Sequence, residues 1–234
     1  CRTKGEKKMK KSYVYLLTTF MLWGSLYVVS QFVLGKIPTF TVAMFRYLIA
    51  FMALSLISLK SEKEKIEKSD YKYFFIMGFI GYFISVDCQL LGTKIAGGSM
   101  ASLINSLNPV IISVMAMIIL NEKLEMNKIV GIVLSLAGVY MIIGTGANIQ
   151  FLGVLISFIA VIGWAFMSVI SRKISNKYSA LTLTKVSMLI ATVCNIPVSF
   201  LEIQVTHPLI QIDIGAILGI LYMRIVCTAF TNIL

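Results

Sequence analysis

An all-α, polytopic membrane bundle built as an inverted repeat is the fold that three observations predict. The 234 residues are 58% hydrophobic and 13% charged, with a mean hydropathy of +0.89, far outside soluble usage. Apolar residues run continuously over lengths of about 20, enough for helices to cross ~30 Å of hydrocarbon, and do not alternate as barrel strands would. One stretch also occurs twice: Trp23–Ala50 lies over Trp164–Ala191, 141 residues on, with eight of 28 positions identical and no gap.

Eight spans follow in order: Tyr13–Leu34, Phe40–Leu59, Tyr71–Gly92, Ser99–Leu120, Ile129–Ile143, Phe151–Ile170, Ala180–Leu201 and Gly215–Leu234. Five spans separate equivalent points of the repeat, an odd number, so the second copy sits upside down relative to the first. Inverted repeats of this kind are how secondary transporters frame a central site. The first and sixth spans carry Trp23 and Trp164 within their length, where aromatic rings either line a cavity or pack between helices. The short fifth span has Gly131 four residues before Ser135, and the eighth has Gly215 four before Gly219. Small residues at that spacing allow close helix contact.

Charge fixes the orientation. Of the 21 Lys and Arg, sixteen lie in the N-terminal tail and in the loops after spans two, four and six. The loops between hold only Lys36 and Lys94. Such bias places the tail and the even-numbered loops in the cytoplasm. The net charge of +11 is therefore basic loops beside anionic lipid, and no nucleic-acid partner is implied. The cell membrane is the expected location, and the lipid bilayer the first partner.

Several chemistries are excluded. Cys1, Cys88, Cys194 and Cys227 form no CxxC pair, and the single histidine, His207, sits beside Pro208 in an outer loop. No disulfide framework, metal site or cofactor follows. Walker, GxGxxG and HExxH patterns are missing. A membrane-embedded enzyme would need a cluster of His, Asp or Cys at one face, and these residues are scattered.

The ordered motifs resemble those of the drug/metabolite transporter superfamily, specifically EamA-type permeases. Trp23-Gly24 and Phe45-Arg46-Tyr47-Leu48-Ile49-Ala50 carry the resemblance in spans one and two. Ala101-Ser102-Leu103 through Asn108-Pro109-Val110, then Asn121-Glu122-Lys123-Leu124, carry it in span four, and Gly131 with Ala137-Gly138-Val139 in span five. The resemblance implies ten helices in two five-helix repeats, the first over 9–143 and the second over 151–234. Eight of those ten are then present, and the chain, which begins upstream of Met9 and stops inside an apolar run, reads as a fragment. An inactive fragment is accordingly an alternative to a working permease.

Residues for a substrate pathway are nominated by polarity at depth. Pro109 interrupts span four and frees the Asn105 carbonyl, with Asn105, Ser106 and Asn108 crowded around it. These amides either build a midplane site or hydrogen-bond neighbouring helices. Arg46 lies seven residues into span two, roughly 10 Å deep at 1.5 Å per residue. Asp87 lies about 7.5 Å from the outer end of span three by the same rise, with Gln89 beside it. Charges inside a membrane are functional by default. Arg46 and Asp87 are expected to pair, or to bind a zwitterion between them. The competing reading of Asp87 is an interfacial carboxylate. The resemblance supports Arg46, whereas Asp87 and Gln89 depart from the family pattern and become candidates for substrate choice or proton coupling. Lys185 is close enough to the cytoplasmic end of span seven to snorkel. Arg224, where the family has glycine as at Gly78, reads as a variant or damaged position. The pathway candidates are thus Trp23, Arg46, Asp87, Gln89, Asn105, Asn108, Pro109 and Trp164. The implied function is export of a small organic metabolite, such as an amino acid or a drug, by alternating access.

Overall fold

The computed structural model of the chain describes residues 21–59, 64–121, 129–131, 133–134, 137–138, 141, 150–206 and 213–233, with side chains of the last helix described to Met223. Expectations for the basic tail, Cys1, Glu122, Ser135 and His207, and for the side chains of Arg224 and Cys227, lie outside the described residues. Every regular element among the described residues is helical. Helix α1 is Met21–Leu34, α2 Thr39–Ser58, α3 Lys68–Ala96 and α4 Gly98–Leu120. The described residues between 129 and 141 are helical and form α5. Then come α6 Phe151–Ile174, α7 Ala180–Thr206 and α8 Ile214–Ile233. Among these, α2, α3, α4, α6 and α7 are long and apolar enough to cross a membrane. The protein is an all-α polytopic membrane bundle.

Several helices outrun the spans read from hydropathy. Helix α3 continues to Ala96 and ends only at Gly97, whose φ of 84° is a conformation open to glycine. Helix α6 continues through Arg172 and Lys173 in its last turn, where cations complement the negative helix end. Hydropathy marks the apolar stretch, whereas backbone hydrogen bonding carries each helix to its chemical stop.

Small residues set the packing. A Cβ added to Gly92 or Gly153 would run into Ser157 or Ala96, and one on Gly163 would meet the Ser85 side chain at 3.1 Å, so α3 and α6 cross almost backbone to backbone. Gly78 faces Ile190 and Ser187 of α7. Residues Met77–Ile84 form a π-helical segment, a widening often found at functional sites. Gly215 and Gly219 face Phe32 and Val33 of α1, the close contact their spacing predicts. Gly131 does not follow that expectation. Among the described residues nothing lies within 4 Å of an added Cβ there, and the described side chains of α5 are exposed.

Bonds between loops sort the two ends of the bundle. After α2, Glu64 accepts the Ser179 N–H that precedes α7, and Lys177 binds Glu67 and Asp70, each at 3.0 Å. The Tyr178 hydroxyl donates to Asp70 at 2.8 Å. At the other end, Lys36 after α1 pairs with Asp213 before α8, and Glu202 near the end of α7 accepts the N–H groups of Thr39, Phe40 and Thr41. The loops after α2 and α6 therefore share one end, and those after α1 and α7 the opposite end. Helices α2 and α7, which contain the repeated Leu-Ile-Ala, lie side by side and run antiparallel.

Candidate functional site

Six of the eight nominated side chains converge on one small cavity inside the bundle, of about 80 Å³. Trp23 comes from α1, Arg46 from α2, Gln89 from α3, Asn105 and Asn108 from α4, and Trp164 from α6; Tyr27 and Ser30 of α1 complete the polar wall.

The α4 contribution follows from its proline. The helix breaks between Asn105 and Asn108 and restarts with Pro109 in its first turn, where the missing N–H costs nothing. The Asn108 amide donates to Asn105 Oδ1. Asn108 Oδ1 is buried with no hydrogen-bond partner. Pro109 itself is exposed and does not line the cavity. It shapes the turn that carries the two amides.

Aromatic contacts hold the opposite wall. Trp164 meets Tyr82 edge-on with ring centroids 5.9 Å apart, and Tyr82 meets Tyr47 at 6.3 Å. The Tyr47 hydroxyl donates to the Tyr82 carbonyl within the π-helical segment. Trp164 thus both packs and lines the cavity, the two roles its sequence position left open. Gln89 donates to the Tyr27 hydroxyl at 3.0 Å and so joins the wall directly.

Asp87 is placed elsewhere. The residue is 4% exposed and its side chain turns toward α7, where the Asn195 amide donates to Oδ1 at 3.4 Å. Asp87 is not at a helix end, since α3 runs nine residues beyond it, to Ala96, roughly 13 Å of helix. The expected partnership with Arg46 takes a different form. The hydrogen bond goes to Asn195, while Arg46 lines the cavity within electrostatic reach of the carboxyl. Asn195 and Glu202 escaped sequence reading. Asn195 had a usable signal, since it sits two residues before Pro197 in α7, an amide near a proline as Asn105 and Asn108 are near Pro109.

A vestibule lies at each end. One, of about 390 Å³, is lined by Gln31, Lys36, Lys94 and Glu202. The other, of about 590 Å³, is lined by Ser58, Glu64, Ser179 and Lys185, with the Lys185 ammonium donating to Ser58 at 3.0 Å. Between them α2 and α7 close on a plug of Ala50, Leu54 and Met188. Outside the spans, Lys36 holds the Asp213 carboxyl below the usual carboxylate range. Slight burial pushes the Glu64 carboxyl up, but bonds from Ser179 and Thr182 outweigh it and leave the group lowered. Hydrogen bonds to Glu67 and Asp70 push the Lys177 ammonium well above the ordinary lysine value.

Residues 10–144 and 151–234 match the model of the EamA-like transporter family. The chain belongs to this family. Transporters are what its relatives are named. It is 28% identical over 204 residues to the uncharacterized transporter YetK of Bacillus subtilis, covering 84% of this chain and 62% of the relative. An uncharacterized transporter of Archaeoglobus fulgidus is 22% identical over 183 residues, with 78% and 65% covered. A probable amino-acid metabolite efflux pump of Salmonella typhimurium is 25% identical over 229 residues, with 94% and 75% covered. The chain thus spans less than two thirds of the length of the first two relatives. In this EamA-like chain the two matched stretches meet at the cavity, Trp164 coming from the second and the other wall residues from the first.

Proposed function

We propose that this protein is a secondary transporter that exports small zwitterionic metabolites, amino acids among them, by alternating access between two inverted repeats. The central cavity carries this reading. It offers one guanidinium, from Arg46, suited to a carboxylate. Asn108 Oδ1 is a buried acceptor without a partner, suited to an ammonium group, and Trp23, Tyr27 and Trp164 line the same cavity. The relative named as an amino-acid metabolite efflux pump supports the same substrate class.

At about 80 Å³ the cavity is smaller than the ~300–1,000 Å³ of ordinary small-molecule sites, so substrate entry requires the helices to part. The two vestibules, one at each end, support a cycle that opens either side in turn. The antiparallel course of α2 and α7 supports the inverted relationship of repeats over 9–143 and 151–234. The basic even-numbered loops support a cytoplasmic N-terminus in the cell membrane. Proton coupling through Asp87 is the energy source we favour.

The test is counterflow in proteoliposomes containing the full-length protein, loaded with a mixture of unlabelled neutral amino acids and offered the labelled mixture. Accumulation of label that is lost in Arg46→Ala supports the proposal. Equal label in protein-free vesicles refutes amino-acid transport.

A further inference from the structure

The geometry points to Asp87 and Asn195 as a proton-binding acid–amide pair, reached from the Glu202 vestibule, that couples proton movement to transport. The coupling half rests on the transporter reading above; the proton-binding half does not.

The argument starts from donors and acceptors. A carboxylate only accepts, and a carboxamide has one oxygen acceptor and one amino donor group. Asn195 uses its amino group on Asp87 Oδ1. The oxygens left over, Asp87 Oδ2 and Asn195 Oδ1, are both acceptors, both buried and both without a hydrogen-bond partner. With Asp87 ionised, one 3.4 Å hydrogen bond holds an anion inside the bundle, an expensive arrangement. A proton on Oδ2 removes the charge and makes that oxygen a donor. It then satisfies the Asn195 oxygen, closing a ring of two hydrogen bonds. One proton answers both orphans.

Access follows the face of α7. Asn195, Ser199 and Glu202 stand at i, i+4 and i+7, so they share one face over a rise of about 10 Å. Ser199 Oγ is buried without a partner, as are the hydroxyls of Thr39 and Thr41, whose N–H groups Glu202 binds. Among the described residues, five of the seven partnerless buried side-chain oxygens therefore belong to Thr39, Thr41, Ser199, Asn195 and Asp87. Hydroxyls left open in this way are what a file of relay waters requires, and Glu202 opens the file to the vestibule. The charged and titratable groups facing Asp87 are Arg46 from α2 and Glu202 and Cys194 from α7, with Cys88 next to it on α3.

The cycle this implies is an exchange. A proton enters from the vestibule side, neutralises Asp87 and leaves toward the opposite side when substrate moves outward. Arg46 stands between the two events, within electrostatic reach of Asp87 while lining the cavity.

Infrared difference spectroscopy of the full-length protein in liposomes, with the proton itself as probe, tests the site without a substrate. A protonated-carboxyl band at neutral pH is expected, lost in Asp87→Asn and shifted in Asn195→Leu and Asp87→Glu. A wild-type spectrum lacking that band overturns the proposal, as does a band that survives Asp87→Asn. Coupling is then read in counterflow of the amino-acid mixture under an imposed pH gradient. The gradient should raise wild-type accumulation several-fold and leave Asp87→Asn indifferent. A wild type that accumulates label equally with and without the gradient refutes coupling even if the band is present. Failure of all accumulation refutes the transporter reading and leaves the infrared result standing.

Discussion

Lys36 and Lys177 stand 141 residues apart at equivalent positions of the repeat and make the same bond at opposite ends of the bundle. Lys36 grips Asp213, which precedes α8 and caps it by accepting the Ala216 N–H at 2.7 Å. Lys177 grips Asp70, which precedes the α-helical part of α3. Beside each pair a glutamate binds the N-terminus of an equivalent helix, Glu202 on α2 and Glu64 on α7. Each end is thus latched by the same chemistry with the two copies exchanged.

Releasing one latch should bias access toward that end. In a chain whose native cysteines are replaced by serine, Gln89→Cys reports cavity access to an impermeant thiol reagent. Lys36→Ala should speed labelling from the vestibule lined by Lys94 and Glu202. Lys177→Ala should speed it from the opposite side. Equal acceleration from both sides in either variant would show loosening of the whole bundle instead.

Acid should open the latches by a calculable sign. Asp213 and Glu64 both have lowered carboxyls, so their stabilisation is complete above the unfolded carboxylate values and is lost as pH falls through the lowered ones. Lys177 is raised, so its contribution holds below the unfolded lysine value and is lost only as pH rises through the raised one. The thermal midpoint should therefore stay level near neutrality and fall below about pH 4. Asp213→Asn should flatten part of that acid decline.

The Glu202 carboxylate binds three backbone N–H groups of α2, at 2.8, 2.9 and 3.3 Å, and α2 has no side-chain cap within its own sequence. Removing a cap costs about 1–2 kcal/mol. Glu202→Ala should lower the thermal midpoint by a few degrees, and Glu202→Gln by less, since the amide keeps one acceptor. A midpoint unchanged in Glu202→Ala would mean that water caps α2 equally well.

Losing the cavity cation should weaken substrate binding. A hydrogen bond to a charged group is worth about 1.5–3 kcal/mol, so Arg46→Ala should raise the half-saturating amino-acid concentration at least tenfold. Arg46→Lys should restore part of the loss, because it keeps the charge without the planar fork. Asn108→Leu should cost less, through the ammonium end alone.

Packing at the α3–α6 crossing leaves no room at Gly92, whereas Gly24 of α1 has nothing within 4 Å of an added Cβ. Gly92→Val should abolish a monodisperse peak in fluorescence size-exclusion chromatography, since overpacking costs about 1–3 kcal/mol or more. Gly24→Ala should leave it intact or slightly improved, because glycine weakens a helix by roughly 0.5–1 kcal/mol.

By itself the sequence determined the helical class, most of the spans, the twofold stretch and six of the side chains that meet in the cavity. Those features are local. Hydrophobicity and its length decide what crosses a bilayer, and a polar group within such a length is conspicuous. The tertiary structure alone decided partners. Asp87 looked like a companion for Arg46 because both lie on consecutive helices, yet its hydrogen bond is to Asn195, 108 residues away. Pro109 looked like part of a pathway, and the fold turns it outward while its two asparagines face in. Spacing fixes the depth of a residue in the membrane. Its facing depends on rotation about the helix axis, and that rotation is set by which glycines let neighbouring helices approach.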